Sequence, residues 1–139
     1  MKQAATVLIP YKFFHSIETD THEFHHVLGV SRKDNKTAFG FPGGKVDDGE
    51  TPEEAAKREL YEETGIIAHE LLLLHNQPYK YGYHEFTYIM IRGTLPESFN
   101  DVKEAGVVKW CSWNEIINGP FSEYNSIIKN KLIDYEQTK

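Results

Sequence analysis

Cysteine is almost missing: Cys111 is the one thiol in 139 residues. An internal disulfide is therefore excluded, which fits a reducing compartment. Flanked by Trp110, Ser112 and Trp113, Cys111 reads as a buried, inert thiol at the end of a packed strand. Basic charge is also in short supply. Fifteen Lys and Arg face 21 Asp and Glu, a net charge of -6. With no basic stripe to neutralise a phosphate backbone, a nucleic-acid polymer is excluded as the main partner. A small nucleotide is not excluded, because a bound metal inverts the local field. Long apolar runs are lacking too. Ala4–Ile9, ended by Pro10, is too short for a signal hydrophobic region, and nothing approaches a membrane-spanning length. The expectation is a cytoplasmic protein with no membrane partner. Repeats, low-complexity tracts and linker-like stretches are absent, so residues 1–139 read as one domain, long enough to bury a single core.

What is present is an alternation of short strands and a few helices. Ala4–Ile9 is β-branched and apolar, as in a buried strand. His15–Glu23 is polar and reads as a loop, His26–Ser31 as a strand, and Arg32–Lys36 as a charged turn. His22, His25 and His26, with Glu23, match no closed zinc site and fit a polar loop running into a strand. Phe39–Gly44 is a short strand entering a glycine turn. Thr51, Pro52 and Glu54 form a helix start with a capping box, and Gly65 is a helix stop. Strands follow at Ile66–Leu74, His84–Arg92 and Gly106–Cys111. Ser112–Glu115 opens a short helix with a second capping box, and Ser122–Tyr135 is a closing helix. Without a regular βαβ rhythm, the fold class is α/β in the broad α+β sense, a mostly antiparallel or mixed sheet with helices on its faces.

The chemistry is concentrated between Gly44 and Ile66. Glu59, Glu62 and Glu63 fall within about a third of the helix circumference. Like charges at these spacings repel. A hard divalent cation reverses the sign, and Mg²⁺ prefers carboxylate, carbonyl and phosphate oxygens, with Mn²⁺ the alternative. Arg58, four residues before Glu62, is placed to orient a carboxylate by a bidentate bond. Gly43 and Gly44 let the backbone bend towards a ligand. Lys45 is placed to contact a phosphate.

This run resembles the Nudix box, Gly-x5-Glu-x7-Arg-Glu-U-x-Glu-Glu-x-Gly-U with U apolar, at every position. Gly44, Glu50, Arg58, Glu59, Glu62, Glu63 and Gly65 fill the fixed positions, and Leu60 and Ile66 the apolar ones. At about 5–7 % per residue type, a chance match in one register falls below about one in ten million. The resemblance implies a Nudix α/β/α sandwich with a mixed sheet. It also implies an Mg²⁺-dependent pyrophosphohydrolase in which water attacks one phosphorus of a diphosphate linkage. In that resemblance Glu59 and Glu63 are the main metal ligands, Glu62 assists, and the Gly44 carbonyl joins them. The general base varies in the family; Glu104 and Glu85 are the candidates in this chain.

The box says little about the rest of the substrate. Tyr83, in a Tyr79, Tyr81, Tyr83 alternation, resembles the base-stacking tyrosine of dinucleoside polyphosphate hydrolases, or else serves packing. The Phe121–Asn125 segment resembles the C-terminal region of MutT-type nucleoside triphosphate hydrolases. There Asn125 would read a base edge and Phe121 would wall the pocket; the other reading of Asn125 is an ordinary polar residue in a first helical turn. Phe39 or Phe41 would flank the base or join the core. Arg32 would reach a phosphate or lie in solvent. The leading expectation is hydrolysis of nucleoside triphosphates of the MutT type, including oxidised purines, by a monomer or homodimer. Dinucleoside polyphosphates or ADP-ribose are the alternative substrates, and a non-hydrolytic nucleotide sensor is the alternative of another class.

Overall fold

Among the described residues, two sheets and three helices are built from segments whose ends are set by local chemistry. The computed structural model describes residues 2–11, 26–78, 82–99, 106–119 and 121–137. His22, His25, Tyr79, Tyr81 and Glu104 lie outside the described residues.

The larger sheet has the order β4-β1-β6-β5. Its central pair is parallel: β1 (Lys2–Leu8) lies beside β6 (Tyr83–Thr94), with Ala4 opposite Glu85 and Thr6 opposite Thr87. The outer pairings, β1 with β4 (Gly43–Lys45) and β6 with β5 (Ile67–Pro78), are antiparallel. The smaller sheet, β3-β2-β7, is antiparallel and joins β3 (Phe39–Gly40), β2 (His26–Ser31) and β7 (Val108–Ser112). A bridge between Pro10 and Val27 and a Leu28 N–H bond to the Ile9 carbonyl connect the two sheets.

Helix α1 (Pro52–Thr64) carries both predicted caps. The Thr51 hydroxyl accepts from the Glu54 N–H at 3.1 Å, and the Glu54 carboxylate accepts from the Thr51 N–H at 2.9 Å. Gly65 closes the helix at φ 79°, a left-handed conformation that a Cβ would disfavour, and its N–H bonds the Tyr61 carbonyl. Ala55, Ala56, Leu60 and Thr64 are buried. Ala55, Ala56 and Leu60 pack with Ala5, Val7, Tyr88 and Met90 on one face of the larger sheet. On the other face Leu8 and Ile89 meet Trp113 and Ile116 of α2 (Trp113–Ile117) and Tyr124, Ile128 and Leu132 of α3 (Ser122–Gln137). Period-two alternation along β1 thus sends neighbouring residues to opposite helical layers. This is the expected α/β/α sandwich.

Several boundaries differ from the sequence reading. β5 runs on to Pro78, with register shifts after Ala68, Glu70 and Leu73; the bulges break the alternation that would have marked its length. The last strand starts at Val108 because Gly106 sits at φ 81° in the preceding turn. His26 opens β2, its ring edge-on to Tyr11. Cys111 is fully buried, and that burial pushes its thiol up to about 12.

Removing one side of a reciprocal cap exposes helix-end N–H groups without weakening the core. Thr51→Ala therefore lowers unfolding stability by about 1 kcal/mol in urea denaturation, and a change near zero would show that the cap is redundant.

Candidate active site

Arg58 is the hub. Its guanidinium forks onto Glu50, Nε to Oε2 at 2.7 Å and Nη2 to Oε1 at 3.0 Å. Nη1 reaches Glu59 Oε1 at 3.0 Å and, more loosely, Glu62 Oε1 at 3.3 Å. Nη2 also donates to the Lys45 carbonyl at 3.1 Å. Sequence spacing pointed to Glu62 as the partner of Arg58; the bidentate partner is Glu50. Glu50 is held in turn by the Asp47 N–H at 3.0 Å. Arg58 bonding first, and this N–H second, draw the Glu50 carboxyl below the usual carboxylate range. Glu50 was visible as a box position, but its task required the loop to be seen folded back on the helix.

The three glutamates have separate settings. Glu63 Oε1 accepts from the Gly43 N–H at 2.7 Å. Burial, with repulsion from Glu59 and Glu62 adding to it, raises the Glu63 carboxyl to about 7 despite that bond. Burial also raises Glu59, outweighing its contact with Arg58. Gly44 lies against Glu59: a Cβ there would sit 2.6 Å from the Glu59 carboxyl carbon. A side chain at this position would push that carboxylate away from the strand. Glu62 is the most solvent-open of the three.

Among the described residues no three acidic, imidazole or thiol groups already converge on one point. The glutamates are instead spread between Arg58 and Gly43. Their chemistry still fits a hard cation. They are oxygen donors on adjacent turns, two of them hold their charge at a cost, and the Glu59 carboxylate lies against the Gly44 backbone.

Two hollows adjoin strand β4. One is a wide, polar trough of about 900 Å³ that includes Lys2, Lys45, Asp47, Glu50 and Tyr83, the Tyr83 ring 5.9 Å from the Lys2 ammonium. The other is a smaller, more apolar cavity of about 200 Å³, with Phe41, Phe121, Tyr124, Asn125 and Glu85 in its walls and Gly43 and Gly44 at its edge. Tyr83 is not among the described residues that line this second cavity. A shallow groove over Gly40, Phe41, Gly43 and Phe121 connects this cavity to Glu63 and Arg32. Arg32 is exposed and paired with Asp34 at 2.9 Å.

Asn125 is only 2 % exposed and donates its amide to the Ile116 carbonyl at 3.2 Å. It is a buried tie between α3 and α2 as well as a cavity wall. Phe39 belongs to the core, whereas Phe41 lines the cavity, edge-on to Trp113. A run of hydroxyl bonds, Thr6 to Thr87 at 2.8 Å and Thr87 to Tyr124 at 2.7 Å, fixes the cavity floor. No sequence signal marked that run, since its three members are far apart in the chain.

An acidic helix set against a glycine strand at the edge of a mixed α/β/α sandwich is the framework of a hydrolase acting on pyrophosphate bonds. Residues 14–131 match the NUDIX domain. The chain is 33 % identical over 104 residues to an 8-oxo-dGTP diphosphatase from Haemophilus influenzae, spanning 73 % of this chain and 75 % of that one. A shorter stretch of 43 residues, 30 % of this chain and 25 % of the relative, is 54 % identical to an ADP-ribose pyrophosphatase from Methanocaldococcus jannaschii. The fold is similar to that of a MutT NUDIX hydrolase from Burkholderia pseudomallei, with TM-score 0.68 and 19 % identity over 94 % of this chain and 96 % of the other. The chain belongs to the NUDIX family, whose hydrolases generally require a divalent metal.

The raised Glu63 carboxyl makes a statement about stability. Its folded value of about 7 lies above the ordinary 4.5, so the folded state binds the proton more tightly than the unfolded state does. That stabilising contribution is complete below about pH 4.5 and is lost as pH rises through about 7, a total on the order of 3 kcal/mol. In chelator, Glu63→Gln should therefore flatten the fall in melting temperature between about pH 5 and 8 and raise the value at pH 8. Parallel curves for the two proteins would mean that Glu63 ionises freely.

Proposed function

We propose that the protein is an Mg²⁺-dependent hydrolase of nucleoside triphosphates of the MutT type, oxidised purine nucleotides included. The products are a nucleoside monophosphate and the remaining phosphorylated fragment. The observation that carries this reading is the groove joining Glu63 and the Gly43–Gly44 strand to a mainly apolar cavity large enough for a ring system. Its volume is below the roughly 300–1,000 Å³ of sites that enclose an entire drug-sized ligand, which suits a base with its phosphates lying outside. The extended match to an 8-oxo-dGTP diphosphatase supports the same substrate class. The match to an ADP-ribose pyrophosphatase covers too little of either chain to carry a substrate.

In this reading Glu59, Glu62, Glu63 and the Gly44 carbonyl hold Mg²⁺, or Mn²⁺ in its place. The ion, when bound, offsets phosphate charge and acidifies water. Arg58 keeps Glu59 and Glu62 turned towards the glycine strand, and its bond to the Lys45 carbonyl fixes that strand. Lys45, exposed beside Gly44, attracts the phosphate chain, and Arg32, at the groove's far edge, meets it once released from Asp34. Phe121 and Phe41 cover the base, and Asn125 reads its edge. Tyr83, in the polar trough, is left to longer substrates that extend into it. The nucleophilic water gives its proton to a carboxylate, for which Glu104 stays a candidate by family resemblance. Among the described residues no helix is long and apolar enough to cross a membrane. With net charge -6 and one buried thiol, we place the protein in the cytoplasm as a monomer or homodimer acting on a small nucleotide, not on a nucleic-acid polymer.

A panel of nucleoside triphosphates, dinucleoside polyphosphates and ADP-ribose, with and without Mg²⁺ and with products identified, tests the assignment. Release of monophosphate from triphosphates only with the metal is expected. Tight nucleotide binding without any turnover would identify a sensor instead. Glu63→Gln should reduce kcat by about 100-fold or more while leaving the fold intact, and retained turnover would remove Glu63 from the site. Asn125→Ala should change the ratio of oxidised to normal guanine nucleotide turnover and lower stability by about 1 kcal/mol through loss of its bond to Ile116. Reduced stability with an unchanged ratio would leave Asn125 as a helix tie alone.

A further inference from the structure

Among the described residues of the apolar cavity, one charged group is without a counterpart. Glu85 stands on the central strand β6, opposite Ala4 in register, with its side chain in the wall. None of the described residues that line the cavity is basic. The other polar groups there are engaged: Thr6 and Tyr124 through Thr87, and the Asn125 amide through Ile116. The carboxyl of Glu85 is held up by burial, and among the described residues no hydrogen bond or ion pair draws it down. A partly buried carboxylate left in this condition costs free energy unless a ligand satisfies it.

We propose that Glu85 determines base specificity: its two oxygens accept from a nucleobase edge carrying two adjacent N–H donors, the arrangement of guanine and its oxidised forms. The inference rests on reading the cavity as the base pocket. The two oxygens of a carboxylate form a parallel pair of acceptors. Guanine offers N1–H and the 2-amino group side by side to such a pair. Adenine and cytosine offer one amino group beside a bare ring nitrogen, which would face the carboxylate lone pair to lone pair. Uracil has a single N–H between two carbonyls. Hypoxanthine keeps the ring N–H but lacks the amino group. Glu85 therefore separates bases by donor count, and Phe41 and Phe121 supply apolar contact that any base could use.

The position of Glu85 also separates this role from proton transfer. Alternation along β6 and β1 puts Glu85, Ala4 and Thr6 against the cavity, while Ala5 and Val7 face α1, the helix that carries the other glutamates. The sequence reading held Glu85 as a candidate general base. Its place in the wall of the cavity, among groups that would touch a ring rather than a phosphate, favours recognition.

The test compares kcat/KM for GTP and ITP, with Mg²⁺, in the unsubstituted protein and in Glu85→Gln, which is nearly isosteric and breaks no existing bond. The unsubstituted protein should favour GTP over ITP by about tenfold or more, and Glu85→Gln should lower the GTP value and bring the ratio to within about threefold of one. Calorimetry with the monophosphates gives a second measure: GMP should bind the unsubstituted protein about tenfold more tightly than IMP. Equal use of GTP and ITP by the unsubstituted protein would overturn the inference. So would a Glu85→Gln variant whose turnover falls by one common factor on both nucleotides, since that pattern belongs to a group in the chemical step. Either result, with GTP still hydrolysed, leaves the nucleotide hydrolase reading standing. If no nucleotide is hydrolysed at all, that reading and this one fail together.

Discussion

The fork of Arg58 onto Glu50 is the constraint on which the site depends. Three carboxylates on adjacent turns of one helix repel each other, and the helix alone has no means of holding them. One guanidinium joins the loop through Glu50, the strand through the Lys45 carbonyl, and the helix through Glu59 and Glu62. Five N–H donors in a fixed plane allow this; an ammonium in the same place would lack the fork. The surrounding carboxylates, Glu50 foremost, raise the guanidinium's affinity for its proton, so its charge persists at any pH the protein meets.

Strand β4 is the second organising element. Two of its three residues are glycines, and a side chain at each would meet a different neighbour. At Gly43 a side chain would run into the Ala5 carbonyl and Thr6 of the neighbouring strand, and at Gly44 into the carboxylate of Glu59. The strand therefore presents bare backbone at Gly43 and Gly44 to the apolar cavity, and Lys45 to the polar trough. The Gly43 N–H is committed to Glu63, which joins the most strongly perturbed carboxyl of the site to the wall of the groove.

How much of this could be read from the chain depended on how local the determinants were. Helix α1 was legible because its cap, its proline, its stop and its acidic spacing all lie within fifteen residues of one another. The glycine turn was legible for the same reason. The extent of β5 was hidden, since an edge strand with bulges shows no clean alternation. The burial of Asn125 was hidden because its partner is a carbonyl on another helix. The setting of Tyr83 was also hidden: it lines the polar trough, which shares no described lining residue with the cavity of Phe121 and Asn125. Glu85 was visible as a carboxylate, but its setting comes from β1, β4 and α3 folding around it.

Cys111 carries a practical corollary. With its sulfur sealed beneath the smaller sheet and its proton held to about 12, the native thiol scarcely reaches the reactive anionic form. Maleimide or nitroxide probes attached to a cysteine engineered on the surface would thus report from a single chosen place, with the wild-type background acting as its own blank.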